Sequence, residues 1–184
     1  MWKISKDFEF DYGHRVWTQE LQTEYSIDNE CKCKAYHGHR GKIVVHLSAA
    51  ELNKQGMVTD FKHLNWFKQF IDTALDHKFI IDIHDPIIDT ELYWITLTSE
   101  ADFVPPLNVG PYSVINPSLY AGLGTSLREK YAGMIFVNFV PTSENLAKWI
   151  YDIVNDKMKD LGVIVDSIEF WETPKSCSTY SLPQ

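Results

Sequence analysis

The sequence predicts an α+β domain in which helices pack on one face of an antiparallel sheet. Apolar and polar residues alternate near both ends of the chain, a pattern typical of strands that bury one face. Two intervening segments instead repeat apolar residues at spacings of three and four, as amphipathic helices do. The resulting order is strand, strand, helix, insertion, helix, strand, strand, which favours a sheet built from both ends of the chain.

Four strands carry the alternation. The first two cover residues 2–12 and 36–48, and a polar loop over residues 18–30 separates them. The other two lie near the C-terminus, the last over residues 176–182. The apolar positions of the first three strands are Ile4, Phe8, Phe10 and Tyr12, then Ile43, Val45 and Leu47, then Ile164, Ile168 and Phe170. Residues 134–140, MIFVNFV, predict one more short extended segment.

Both helices have recognisable starts. Asp60 is a predicted N-cap for a helix over residues 61–75. The Pro-Thr pair at positions 141–142 opens the second helix. Between the helices, residues 79–133 are rich in proline and predict a long, partly ordered insertion. A single domain over residues 1–184 is expected to contain all these elements.

Composition argues against several classes of function. The formal net charge is −8, whereas a general nucleic-acid-binding protein needs a basic surface that displaces counterions. No apolar run approaches the roughly 18 residues of a membrane span. The N-terminal MWKISKDFEF lacks the apolar core of a signal peptide, so a cytoplasmic protein is expected. Three cysteines in a reducing compartment favour free thiols, metal ligands or catalysis over a disulfide framework.

The stretch CKCKAYHGHRG, residues 31–41, indicates a metal site. His37 and His39 are two positions apart on a predicted strand, so their imidazoles lie on the same face. His14 ends the first strand and can reach the same ion if the two strands are neighbours. Three histidines with an open fourth position are typical of catalytic zinc. The alternative is a pair of solvent-facing histidines on a hairpin.

Two cysteines precede the histidine pair. Cys31 and Cys33 would add thiolates to a structural zinc site, but the chain has no second Cys pair to complete the usual spacing. Cys33 lies four residues before His37, and a thiol near a cation loses its proton more easily, which would let it act as a base. A small loop thiol is the simpler interpretation of Cys31.

Two other motifs hold candidate acid–base and binding groups. In LDHKF, Asp76 precedes His77, and a carboxylate can orient an imidazole and raise its basicity. Alternatively, His77 only interacts with the dipole of the preceding helix. In WETPKSC, the carboxylate of Glu172 can accept two hydrogen bonds from the amino-amidine edge of a pterin or guanine. An exposed loop glutamate is the alternative there.

Six motifs, taken in order, resemble one family. They are GHR, CKAYHGH, GMVTDF, LDHKF, PTSENLAKWI and WETPKSCSTY. Together they are similar to the 6-pyruvoyl-tetrahydropterin synthase and 6-carboxytetrahydropterin synthase family over residues 8–80 and 134–180. The resemblance implies the tunnelling fold, a ββααββ unit. It also implies trimers that stack as homo-hexamers, with active sites at subunit interfaces.

The resemblance assigns roles to individual residues. The zinc ligands would be His14, His37 and His39. The catalytic residues would be Cys33, Asp76 and His77. The substrate-binding residues would be Glu172, which anchors the pterin ring, with Thr142 and Ser143 lining its pocket.

The function implied is that of a zinc-dependent lyase acting on 7,8-dihydroneopterin triphosphate. The stretch NFVPTSENLA favours 6-carboxytetrahydropterin synthase of the queuosine and 7-deazapurine route, in which triphosphate and acetaldehyde are lost. One alternative is 6-pyruvoyl-tetrahydropterin synthase, which eliminates triphosphate from the same substrate. The other is a non-catalytic pterin- or metal-binding protein on the same fold, which would not need Cys33, Asp76 or His77.

Three features depart from the family pattern. YGHR stands where a small residue usually precedes His-Arg. Arg40 follows the HGH motif, where Asn or Ser is common, and it either contacts a phosphate or lies on the strand surface. The insertion over residues 79–133 is far longer than usual. Because it contains no cysteine and a single histidine, His84, we expect it to supply no zinc ligand. We expect it to lie beside the active-site mouth or to extend a subunit interface.

Overall fold

The computed structural model describes residues 1–26, 31–95, 102–104 and 113–183, so the end of the predicted loop at 18–30 and two parts of the insertion lie outside the described residues. The described strands are β1 (Trp2–His14), β2 (His37–Ala49), β3 (Lys78–Asp82), β4 (Phe103–Val104), β5 (Val114–Ile115), β6 (Met134–Val137), β7 (Ile164–Thr173) and β8 (Ser176–Tyr180). The described helices are α1 (Asn65–Ala74), α2 (Ile88–Glu91), α3 (Thr125–Ala132) and α4 (Ser143–Met158).

Within the described residues, six strands form a mixed sheet in the order β6-β3-β1-β2-β7-β8. β7 pairs antiparallel with β2 and with β8, as the alternating patterns predict. β3 instead pairs in parallel with both β1 and β6, so the prediction of an entirely antiparallel sheet is wrong at this edge. The segment KFIID of β3 is a short, largely buried run without alternation, and periodicity cannot identify such a strand.

Contacts define two compact units. The first contains Met1–Asp11, His39–Asp76 and Thr142–Gln184, and the second contains Tyr12–Gly38 and His77–Pro141. Over the described part of the chain, every helix is too short or too polar to span a lipid bilayer.

The first unit is held by aromatic and aliphatic packing. Phe8 of β1 meets Phe67 of α1 edge to face, with ring centroids 5.1 Å apart. Phe70 of the same helix contacts Trp149 of α4 at 5.9 Å, and α4 packs on β7 and β8. The predicted alternation is confirmed by burial at Phe8, Phe10, Ile43, Val45, Leu47, Ile168 and Phe170, because every second side chain of a strand faces the helices. It is wrong at Ile164, which is 52% exposed, whereas the next residue, Val165, is buried. The pairing of β7 with β2 shifts register between His46 and Leu47, and such a shift changes which face the following residues of β7 occupy.

Both predicted helix starts are confirmed. Asp60 Oδ1 accepts a hydrogen bond from Lys62 N at 2.7 Å, at the head of a 3-10 turn that leads into α1. Thr142 is the N-cap of α4, and its Oγ1 accepts a hydrogen bond from Asn145 N at 3.3 Å. These caps satisfy backbone donors that a helix start leaves open.

The second unit gives the insertion its own hydrophobic core. The buried members of this cluster are Ile81, Leu92, Ile95, Ile115, Tyr131, Met134 and Phe136. In its described residues the insertion contributes α2, α3 and most of β3, together with a small antiparallel ribbon of β4 and β5. Because these elements are short, their apolar residues show no clear period in the sequence.

Candidate metal centre

His14 is the last residue of β1, and its side chain is completely buried. It lies opposite Ile80 of β3 in the parallel register. Its Nδ1 lies 2.7 Å from the backbone oxygen of Pro141. Because a carbonyl oxygen only accepts hydrogen bonds, Nδ1 carries the proton and donates, and Nε2 keeps the lone pair that a metal ion requires.

His37 begins β2 close to His14. The centroids of the two imidazole rings are 4.5 Å apart. Nδ1 of His37 donates to the backbone oxygen of Ala35 at 2.9 Å, which again leaves the lone pair on Nε2. The backbone therefore selects the same tautomer for both histidines.

Two glycines allow the strands around these histidines to approach. A Cβ at Gly38 would lie 3.0 Å from the carbonyl oxygen of Tyr12. A Cβ at Gly13 would lie 2.5 Å from the Phe79 ring and 3.3 Å from the carbonyl oxygen of His37. A Cβ at Gly13 would require the Phe79 ring to move, and a Cβ at either position would require the facing backbone to shift by a few tenths of an ångström.

His39 follows on β2, and its Nε2 lies 3.5 Å from Oε1 of Glu172 near the end of β7. One possible ligand atom from each of His14, His37, His39 and Glu172 lies within 4.8 Å of the others. Three imidazole nitrogens and a carboxylate oxygen are donors that zinc accepts. The group therefore fits a divalent metal ion such as zinc, although zinc binding itself stays a prediction.

Glu172 is the member of this group that sequence reasoning did not include. The motif WETPKSC indicated a contact with a pterin ring, whereas the structure places the carboxylate beside His39. The antiparallel register sets Lys42 of β2 opposite Trp171 of β7, which brings Glu172 to the His39 end of β2. Alternation gives the face of a strand but not its register against a distant partner, so the sequence could not show this proximity.

The three predicted catalytic residues lie in turns. Cys33 belongs to the 3-10 turn that precedes β2, and its backbone oxygen accepts a hydrogen bond from Val16 N at 2.7 Å. Asp76 and His77 connect α1 to β3, and His77 has φ of +55°, the left-handed conformation that often follows a helix. Asp76 Oδ1 accepts a hydrogen bond from Asp11 N at 3.0 Å, which fixes this carboxylate. The catalytic roles stay predictions.

The two hydroxyl residues at the start of α4 have partners within the chain. Thr142 serves as the N-cap already described, and Ser143 Oγ lies 2.7 Å from Ser178 Oγ of β8. Their predicted contact with a pterin stays a prediction. Arg40 is exposed and lies 2.6 Å from Glu9, which favours the strand-surface interpretation over a phosphate contact.

A charged network lies next to His37. The Tyr36 hydroxyl donates a hydrogen bond to the Glu91 carboxylate, and burial together with this bond raises the pKa of Tyr36 well above its ordinary value. Burial also raises the pKa of Glu91, but hydrogen bonds from Lys130 and Tyr36 outweigh it and leave the pKa below its ordinary value. Tyr36 is therefore a neutral donor and Glu91 an ionised acceptor at neutral pH.

The sequence profile of the family described as 6-pyruvoyl tetrahydropterin synthase matches residues 3–183. The chain belongs to the 6-pyruvoyl tetrahydropterin synthase family. The predicted family resemblance is therefore confirmed over nearly the whole chain.

Two curated relatives of this family member match over nearly their full length. The 6-carboxy-5,6,7,8-tetrahydropterin synthase of Aquifex aeolicus is 32% identical, over 97% of each chain. The protein of the same name from Haemophilus influenzae is 30% identical, over 98% of this chain and 99% of the relative.

Solved structures of similar proteins confirm the fold. An uncharacterised protein from Wolinella succinogenes has a TM-score of 0.91 at 44% identity, covering 98% of this chain and 97% of the other. The 6-pyruvoyl tetrahydropterin synthase of Caenorhabditis elegans has a TM-score of 0.55 at 19% identity, covering 98% of this chain and 95% of the other. At that identity the likeness shows the fold alone, which is the predicted tunnelling fold.

Proposed function

We propose that this family member is a zinc-dependent lyase that converts 7,8-dihydroneopterin triphosphate into 6-carboxytetrahydropterin, within queuosine and 7-deazapurine biosynthesis. The names of the two full-length relatives support the choice of product. The observation that carries the proposal is the group of three histidines with Glu172 beside them, because the imidazoles supply the donors for a catalytic metal ion and the carboxylate lies where a substrate next to that ion could be held.

The proposed zinc ligands are His14, His37 and His39. Bound zinc would polarise the hydroxyl oxygens of the substrate side chain and so acidify their protons and those on the adjacent carbon. The hydrogen bonds from the two Nδ1 atoms to the carbonyl oxygens of Pro141 and Ala35 hold the rings in the tautomer that can bind metal.

Proton transfer is assigned to three residues. Cys33, as a thiolate, takes the first proton from the substrate side chain. His77 moves protons on the opposite face of the substrate, and Asp76 orients the His77 imidazole. The bond from Asp11 N to the Asp76 carboxylate supports this role because it restricts the rotation of the orienting group.

Pterin binding is assigned to Glu172, with Thr142 and Ser143 at the edge of the pocket. A carboxylate can accept two hydrogen bonds from the amino-amidine edge of the ring. The position of Glu172 beside His39 supports a substrate held next to the metal ion. We also propose that the protein is cytoplasmic and assembles as a homo-hexamer, a dimer of trimers.

The second candidate is 6-pyruvoyl-tetrahydropterin synthase activity on the same substrate. The description of the matching family profile favours it. In that reaction triphosphate is eliminated and the two-carbon fragment stays on the pterin, whereas the proposed reaction releases it as acetaldehyde.

Product analysis tests the proposal. The zinc-loaded protein is incubated with 7,8-dihydroneopterin triphosphate and the products are identified by mass. A 6-carboxylated pterin together with acetaldehyde is the expected result. A 6-pyruvoylated pterin would support the second candidate, and bound but unchanged substrate would support a non-catalytic binding protein.

A further inference from the structure

The insertion reaches residues that directly flank two of the candidate zinc ligands. Arg15 follows His14, and its Nε lies 3.0 Å from Oδ2 of Asp85. The Asp85 side chain is only 1% exposed and that of Arg15 19%, so this ion pair is largely shielded from water. Oδ1 of Asp85 accepts a hydrogen bond from Ile87 N at 3.0 Å, which fixes the carboxylate toward Arg15.

A second link starts on the other histidine segment. Tyr36 precedes His37, and its hydroxyl donates to the Glu91 carboxylate. Glu91 Oε2 lies 2.7 Å from Lys130 Nζ, which also donates to the Glu91 backbone oxygen at 3.0 Å. The acceptor of the Tyr36 hydroxyl is therefore held by a residue of α3, also in the insertion.

The two links meet in one cluster. The Arg15 guanidinium lies 5.9 Å from the centre of the Tyr36 ring, within the range of a cation–π contact. The edge-to-face contact between Tyr36 and Phe79 of β3, at 4.8 Å, packs the same ring against the start of the insertion. We call Arg15, Tyr36, Asp85, Glu91 and Lys130 the Arg15–Tyr36 cluster.

We infer that Asp85 and Glu91 are positioning residues, which hold the segments of His14 and His37 in the arrangement that binds zinc. The inference rests on the proposed zinc site. The Arg15–Asp85 ion pair is shielded from water, and a hydrogen bond to an ionised carboxylate, such as that of Tyr36 to Glu91, is stronger than one between neutral groups. Groups that hydrogen-bond a metal ligand directly typically change the metal affinity by about 10–100-fold when they are replaced. Asp85 and Glu91 act one residue further out, through Arg15 and Tyr36, so their effect should be smaller. The described residues of the insertion would thus support the zinc site from outside the group of His14, His37, His39 and Glu172.

The variants Asp85→Asn and Glu91→Gln test this role. Zinc affinity is measured by competition with a chromophoric chelator, and the cobalt-loaded proteins are compared by their visible absorption bands, which report ligand geometry. We expect zinc binding weaker by up to about tenfold, the lower end for groups that bond a ligand directly, and altered cobalt bands in both variants. Glu129→Gln, at an exposed position of α3 in the same unit, is the matched control and should leave both readouts unchanged.

Tyr36→Phe keeps the ring and removes only the hydroxyl, so it decides the question if either carboxylate variant does not fold. Weaker zinc binding by folded Tyr36→Phe supports the inference. Wild-type affinity and cobalt bands in the folded variants would overturn it while leaving the zinc site intact. Failure of the wild-type protein to bind zinc would overturn the zinc site and the positioning role together.

Discussion

The two compact units differ in where they place charged pairs. In the first unit, Lys148 and Asp152 pair at 2.6 Å on the exposed side of α4, with both side chains about half exposed. In the second unit, Arg15 and Asp85 pair at 3.0 Å with little access to water. An exposed pair contributes little free energy, whereas a buried pair is costly to break and keeps its groups in one geometry. Of these two pairs, the shielded one is thus the one next to a candidate zinc ligand, His14.

The units also differ in what resists unfolding. The first unit depends on the aromatic contacts between the strands, α1 and α4, such as Phe70 with Trp149. The histidine segments of the second unit are held by polar links to the insertion. Substitutions in the first unit should therefore change stability but not metal affinity, whereas substitutions in the Arg15–Tyr36 cluster should lower metal affinity as well as stability.

The largest effect on stability is expected for Phe70→Ala. The side chain is fully buried, and its removal should lower the free energy of unfolding by about 3–5 kcal/mol because it leaves a cavity. Chemical denaturation measures this change. The zinc affinity of the folded variant should equal that of the wild type. If the folded variant also bound zinc more weakly, the packing of the first unit would contribute to metal affinity as well as to stability.

Cys33→Ala should retain the fold and the metal but lose turnover by at least about a hundredfold, because it removes the proposed base. Steady-state kinetics with 7,8-dihydroneopterin triphosphate measure the rate, and metal analysis of the same sample provides the control. Near-normal turnover would mean that Cys33 is structural, or that Cys31 is the working thiol.

Glu172→Gln should weaken pterin binding by about 1–3 kcal/mol. A carboxylate accepts hydrogen bonds from both N–H groups of the ring edge, whereas the NH₂ group of an amide would face one of these donors and leave it unpaired. Calorimetric titration with a pterin ligand gives this value. Zinc should stay at one ion per chain. If zinc were lost to the same extent as in a histidine variant, Glu172 would be a metal ligand rather than the pterin anchor.

The smallest effect is expected for Asp152→Asn. Loss of this exposed pair on α4 should change the free energy of unfolding by less than about 1 kcal/mol. Chemical denaturation measures the free energy of unfolding of this variant and of Asp85→Asn, which removes the corresponding negative charge from the buried pair. We expect the larger cost for Asp85→Asn. Equal costs for the two variants would contradict the comparison of exposed and buried pairs.

The first unit was largely predictable from the sequence. Ile43, Val45 and Leu47 alternate with other residues because one face of β2 is buried. Two helices can be identified from their N-cap residues and from their periodic apolar residues. The proximity of His37 and His39 follows from the same two-residue period. These are local rules, and local rules can be read from a single sequence.

The rest depends on long-range pairing. To predict the position of Glu172, one must know the register of β7 against β2. To predict the Arg15–Asp85 pair, one must know that β3 lies beside β1 and runs parallel to it. Short buried strands such as β3 give no alternation from which either could be inferred. For this reason the sequence did not show which residues of the insertion contact the histidine-bearing segments.

Zinc stoichiometry of matched single variants tests the central claim most directly. Wild-type protein, His37→Ala and Cys31→Ser are loaded with zinc, desalted and analysed for metal per chain. We predict about one ion per chain for the wild type and for Cys31→Ser, and a loss of zinc from His37→Ala, because the site uses three histidines and no thiolate. Equal loss of zinc from both variants would contradict the three-histidine site.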